Sequence, residues 1–200
     1  MDSLYLDCYL GLQKQALKQT MAMNSYLVSK FASIIDFADK IEPHITIFMG
    51  LFPIDQKPLI YDKIREINCE IKGIDVQLVK VRGTGEGYIF WDADNDNSLR
   101  HLHLRLLTEL NLLRRGRIRE KFLSGIAGFS SAEQKNIRKY GFPWVEKLFQ
   151  PHITLGKIDS ESVSLAVKEL EREFSCSLKF TAWPVKIGLV GENGVVTPLL

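Results

Sequence analysis

"EPHITIFMG", residues 42–50, is echoed at residues 150–158 by "QPHITLGKI". In a β-strand successive side chains point to opposite faces. His44 and Thr46 therefore project from one face of the first stretch, and Ile45 and Ile47 from the other. His152 and Thr154 stand in the same relation to Ile153 and Leu155. Pro43 and Pro151 fall at the strand starts, where a missing backbone donor is tolerated. One such stretch would pass as a core strand with a surface histidine. Two copies of Pro-His-Ile-Thr change that reading, because average residue usage yields a second identical tetrapeptide in roughly one chain in a thousand. The protein has 4 histidines, and two of them occupy matching places.

Outward from these strands the pattern alternates. "LYLDCYLGL" (4–12) has strand character. Residues 26–38 place Leu27, Phe31, Ile34, Ile35 and Ala38 at helical spacing, and 59–71 do the same with Ile60, Ile64, Ile67 and Ile71. Residues 74–93 read as two strands around the glycine-rich "RGTGEG" turn. "SLRHLHLRLLTELNLL" (98–113) predicts a helix capped by Ser98, with a stripe of Leu99, Leu102, Leu106, Leu110 and Leu113. A basic, glycine-broken stretch follows (114–129). A polar helix over 130–142 comes next, with Ser131 and Gln134 as a capping box. After the second histidine strand a helix spans 161–174 on Val163, Val167, Leu170 and Phe174. Strands around a turn at Glu192–Gly194 close the chain. The order predicts an α+β fold with antiparallel pairings, and each histidine strand precedes a helix, which hints at two similarly built halves.

The bulk properties set limits. The chain has 200 residues, 46% hydrophobic and 25% charged, with a net charge of +2. That suits one domain with a sizeable core, and the charge is too small for general nucleic-acid binding. Three scattered cysteines, Cys8, Cys69 and Cys176, include no Cys-x-x-Cys pair, so reduced thiols are expected. No apolar run reaches membrane-spanning length and the N-terminus lacks signal-peptide character. A cytoplasmic monomer is the expectation, with no membrane association and no obligate protein partner.

Two imidazoles beside two hydroxyls suit phosphodiester chemistry. Imidazole ionises near neutral pH, so one neutral ring can take a proton while a protonated one gives it. Thr46 and Thr154 can hydrogen-bond non-bridging phosphate oxygens. The scheme uses no metal and no cofactor. His101 and His103, two apart on a helix, diverge by roughly 200° and cannot ligate one ion, so they read as helix surface. "RGTGEG" lacks the phosphate-loop pattern and reads as a hairpin turn. The run "RRGRIREKF" (114–122) reads either as a solvated helix end or as a phosphate contact through Arg115 and Arg117. Tyr140, Phe142 and Trp144 read either as packing or as a base-stacking surface.

The two His-x-Thr-x strands, His44-Ile45-Thr46-Ile47 and His152-Ile153-Thr154-Leu155, resemble the 2H phosphoesterase superfamily, which includes LigT-like RNA 2′-5′ ligases and cyclic phosphodiesterases. "SSAEQKNIRKYGFPWVEKLFQPHITL" is similar to a phosphonate-associated branch of it. The resemblance implies a bilobal α+β fold over residues 1–200, with two antiparallel sheets lining a central cleft and helices outside. In it residues 114–149 are an insertion, a lid or recognition segment. It further implies a metal-independent phosphodiesterase acting on a nucleotide or RNA end, at a 2′,3′-cyclic phosphate or a 2′-5′ linkage. Catalysis would fall to His44, Thr46, His152 and Thr154, with His152 as base and His44 as acid. Tyr140, Phe142, Trp144, Arg115 and Arg117 are the substrate-binding candidates. The competing expectation is a non-catalytic RNA- or nucleotide-binding module using the same cleft.

Overall fold

The computed structural model describes residues 2–39, 41–191 and 195–199. Its elements run β1 (Ser3–Gly11), α1 (Lys14–Phe31), β2 (His44–Pro53), α2 (Lys57–Glu70), β3 (Ile74–Gly83), β4 (Tyr88–Ala93) and α3 (Asn97–Asn111). Then come α4 (Glu120–Ser124), α5 (Ser131–Tyr140), β5 (His152–Lys157), α6 (Val163–Glu173), β6 (Leu178–Ala182), β7 (Val185–Val190) and β8 (Val196–Pro198). The strands form one antiparallel sheet in the order β6-β3-β4-β5-β2-β1-β7-β8. The expected pair of sheets are its two four-stranded halves, joined where Ile45 of β2 pairs with Ile153 of β5. The closing turn expected at Glu192–Gly194 lies outside the described residues.

Strand alternation sorts the sheet into two faces. Leu6, Cys8, Leu10, Ile45, Ile47, Ile89, Trp91, Ile153 and Leu155 are buried and join one hydrophobic core. The helices supply the other side of that core: Leu99, Leu102, Leu106 and Leu110 of α3 are buried. Each such leucine contributes about 1.5–3 kcal/mol by leaving water. The opposite, inner face carries half-buried polar and aromatic side chains, among them Tyr5, His44, Thr46, Tyr88, Phe90, His152 and Thr154.

The halves are built alike. Strand–helix–strand–helix occurs as β1-α1-β2-α2 and again, with α4 and α5 interposed before β5, as β4-α3-β5-α6. Both histidine strands carry an irregularity at the same place. Against β1, Thr46 pairs with Tyr9 and Phe48 with Cys8, leaving Ile47 over. Against β4, Thr154 pairs with Phe90 and Gly156 with Ile89, leaving Leu155 over. One extra residue on one strand is a β-bulge. The helices cross over: α1 packs on β5 and α3 on β2.

Several local expectations need correction. The first helix ends at Phe31, not Ala38, and begins at Lys14. Ala32 takes the left-handed conformation at φ 51°, which stops it. Asp96, not Ser98, caps α3, accepting from the Leu99 N–H at 3.0 Å. The capping box of α5 is Ser130 with Glu133, one residue earlier than expected. His103 is fully buried, not on the helix surface. The "RGTGEG" stretch is the β3–β4 turn, as expected, with the Gly87 N–H donating to the Thr84 carbonyl.

Candidate active site

The Ile45–Ile153 pairing fixes what surrounds it. In antiparallel register, His44 comes opposite Thr154 and Thr46 opposite His152. With the isoleucines turned into the core, all four motif side chains stand on the inner face. A hollow of about 20 Å³ is lined by His44 and Thr154 together with Glu42, Pro43, Ile35 and Val195, so a residue of each motif borders one space.

Each imidazole is held the same way. His44 Nδ1 lies 2.8 Å from the Glu42 carbonyl, and His152 Nδ1 lies 2.8 Å from the Gln150 carbonyl. A carbonyl only accepts, so both Nδ1 atoms carry hydrogen and both Nε2 atoms are left for chemistry. An aromatic ring backs each histidine at matching sheet positions: Tyr9 against His44 at 4.9 Å between centroids, and Phe90 against His152 at 4.0 Å.

The surroundings then diverge. Asp7 is fully buried beside the first motif. Its Oδ2 accepts the Thr46 hydroxyl at 2.6 Å and stands 3.4 Å from His44 Nε2. Burial alone would lower the His44 pKa. The hydrogen bond and charge of Asp7, with the Glu42 carbonyl and carboxylate, outweigh it and hold that pKa above the ordinary histidine value. On the second motif, burial dominates and pushes the His152 pKa down, helped by the charges of Arg82 and His44 and only partly opposed by the Gln150 carbonyl and Asp92. Arg82 is itself paired with Asp92 through Nε at 2.9 Å. Two sequence-equivalent histidines thus sit in environments that drive their protonation apart.

The remaining sequence candidates lie differently. The Tyr140 hydroxyl donates to Glu146 Oε1. Phe142 and Trp144 pack edge to face at 5.4 Å, and the Trp144 indole N–H donates to Glu133. Arg115 pairs with Asp55 at 3.0 Å, and Arg117 binds the Asp2 carbonyl and the Ser3 hydroxyl. No hydrogen bond, ion pair or ring contact among the described residues joins any of these five to the four motif residues. Asp7, Tyr9 and Phe90 were missed by the sequence reading. Their signal was register: each sits on the inner face of a strand flanking a histidine strand. A larger cavity of about 880 Å³ opens between α2 and β7, lined by Tyr61, Asn68, Cys69 and Trp183. It contains none of the motif residues, and the convergence of titratable groups, not size, marks the candidate site. Among the described residues no three His, Cys, Asp or Glu side chains are grouped to hold a metal ion, and no helix is long and apolar enough to cross a membrane.

Comparison with known proteins agrees with this architecture. Escherichia coli LigT complexed with phosphate matches with a TM-score of 0.56 at 14% identity, over 100% of this chain and 96% of that one. LigT complexed with NADP+ matches with the same TM-score and coverage at 13% identity. No curated protein matches the sequence. At such identities the structural likeness concerns the fold. The family model of the 2′-5′ RNA ligase superfamily matches residues 32–190, a span that takes in both histidine strands and most of the sheet, and the chain belongs to that superfamily.

Proposed function

We propose that this chain is a cytoplasmic, monomeric phosphodiesterase that hydrolyses a nucleotide or RNA phosphodiester, either a 2′,3′-cyclic phosphate or a 2′-5′ linkage, by paired-histidine acid–base catalysis without a metal. The observation that carries the reading is that the Ile45–Ile153 pairing puts both histidines on one face with each Nδ1 tied to a carbonyl and each Nε2 left over, their surroundings biasing protonation in opposite directions. His152, biased toward the neutral form, takes a proton from water as the water oxygen bonds to phosphorus. His44, biased toward the imidazolium, gives its Nε2 proton to the departing ribose oxygen as the phosphorus–oxygen bond breaks. The product is a phosphomonoester and a ribose hydroxyl, and the histidines exchange protonation states before the next cycle.

The threonines divide their work on this reading. Thr154 can donate its hydroxyl proton to a non-bridging oxygen. Thr46 donates its single proton to Asp7, so it reaches the phosphate only by turning from that carboxylate.

The test is turnover of a panel of cyclic-phosphate and 2′-5′-linked nucleotides, with products identified by which ribose oxygen keeps the phosphate. His44→Ala and His152→Ala should each lower kcat/KM by roughly 10²–10⁴. Activity should survive EDTA. Its dependence on pH should be a broad bell, rising as His152 loses its proton at a pKa below the ordinary value and falling as His44 loses its own above it. Wild-type turnover in either variant sinks the assignment. Binding of every panel member without turnover would return the chain to the non-catalytic reading.

A further inference from the structure

We infer that the cavity between α2 and β7 is a binding site for a small amphipathic anion, a molecule with an apolar body and a single carboxylate or sulfonate head. None of the four motif residues lines it, so its occupant is not the reacting ester. The inference goes beyond the acid–base reading and does not depend on it.

At about 880 Å³ the cavity falls within the roughly 300–1,000 Å³ of sites that take small organic molecules. The α2 helix and its C-cap supply Ile64 and Ile71, β7 supplies Val185 and Ile187, and Trp183 and Leu199 complete the apolar lining. Trp183 is 45% exposed. A ring of that size open to water leaves apolar surface that a bound molecule would cover. The walls are tied to each other. Asn68 of α2 donates to the Val185 carbonyl and accepts from the Val185 N–H, both at 2.9 Å, which sets the spacing of helix and strand. Gln13 Nε2 donates to the Trp183 carbonyl at 2.9 Å and holds the stretch that leads into β7. A chamber with fixed walls binds at little cost in ordering.

Charge selects the occupant. Among the described residues, the charged side chains on the lining are all cations: Arg65, Lys72 and Lys186. Arg65 is paired with Asp62 at 2.9 Å and Lys186 with Glu42 at 2.5 Å, and neither carboxylate lines the cavity. Lys72 is exposed and makes no ion pair among the described residues. The border therefore offers an anionic head a free ammonium and offers a cationic head no partner. An apolar body fits the lining between.

The probe is 1-anilinonaphthalene-8-sulfonate, compared with N-phenyl-1-naphthylamine, the same rings without the sulfonate. Fluorescence titration of the wild-type protein should give one sulfonate per chain, with Kd on the order of 10⁻⁵ M for a ligand of this size. Lys72→Glu should weaken the sulfonate about fivefold, the scale of an exposed charge pair reversed in sign, and leave the uncharged amine within twofold. Cys69→Trp puts a bulky ring at an exposed α2 position on the lining and should weaken both probes at least fivefold. The wild-type thiol reports the place of binding without any variant. Alkylation of Cys69 by iodoacetamide, followed by peptide mass, should slow at least fivefold at saturating sulfonate. Dodecanoate and 1-naphthoate then serve as competitors, and displacement by either one supports the site and names an acyl or an aromatic body. Displacement by neither overturns it. Sulfonate bound with Cys69 unprotected lies elsewhere and overturns the site, and equal effects of Lys72→Glu on both probes overturn the anionic class. Self-association of the chain that expels the probe would give the cavity to a second copy and overturn the small-molecule assignment.

Discussion

Asp7 distinguishes the two histidines. It is a fully buried carboxylate whose Oδ2 receives Thr46 and faces His44, while its Oδ1 has no partner among the described residues. A buried charge is costly unless it is paired, and an imidazolium at position 44 is the partner this geometry offers. Asp7→Asn keeps an oxygen for the Thr46 hydroxyl and removes the charge. On the proposed mechanism His44 then gives up its proton at lower pH, so the alkaline limb of the rate profile should move toward lower pH while the acid limb, set by His152, stays. A pH–rate profile checks this, and movement of the acid limb instead would exchange the roles of the histidines. In the sequence Asp7 sits unremarkably inside "LYLDCYLGL". The motif strands were legible because their composition repeats. Asp7 was not, because its meaning depends on which residues lie opposite it across β1 and β2.

At the scale of elements, two buried polar side chains repeat each other's work. Asn24 of α1 donates through Nδ2 to the Leu155 carbonyl at 2.8 Å and accepts through Oδ1 from the Phe37 N–H at 2.9 Å. His103 of α3 pairs with the Ile47 carbonyl through Nδ1 at 2.7 Å and accepts through Nε2 from the Glu146 N–H at 3.0 Å. Ile47 and Leu155 are the bulged residues of the two motifs, so each brace ties a bulge to the segment leading into the other histidine strand. This also explains why α1 was misplaced from sequence. Its buried face is Ala16, Thr20, Met23, Asn24 and Leu27, and two polar members break the apolar period that α3 displays plainly. His103 requires the neutral ring with hydrogen on Nδ1. Burial pushes its pKa down, with Arg100 adding to that and the Ile47 carbonyl and Glu146 opposing it. The unfolded chain therefore binds more protons here than the folded one, so stability should fall as pH drops below about 6.5. His103→Asn keeps an N–H at the Nδ1 position for the Ile47 carbonyl without titrating and should weaken that dependence. His103→Ala leaves a carbonyl and an N–H unsatisfied and should cost about 2–4 kcal/mol at pH 7.5. Urea unfolding at pH 7.5 and 5.5 checks both. Equal pH dependence in wild type and His103→Asn would remove His103 from the account.

Across the whole molecule, the braces bear on how far the halves are independent. Each four-stranded half has its own motif strand and helices, and a single strand pairing, Ile45 with Ile153, joins the sheet between them. By hydrogen bonding in the sheet alone, the halves could open separately as two cooperative units. The crossed packing argues otherwise, since α1 lies on β5 and α3 on β2, and the core is one contiguous cluster drawn from both halves. On the proposed mechanism the two histidines meet at one phosphorus and gain from this arrangement, because neither half can drift without loosening the strand of the other. Asn24→Ala leaves the Leu155 carbonyl and the Phe37 N–H without partners, a loss of about 2–4 kcal/mol. If the halves unfold together, native-state hydrogen exchange should show that loss equally at the slowest amides of β1 and of β4. Loss confined to β4 and β5 would mean that the halves open independently, and that the histidine geometry rests on the Ile45–Ile153 pairing alone.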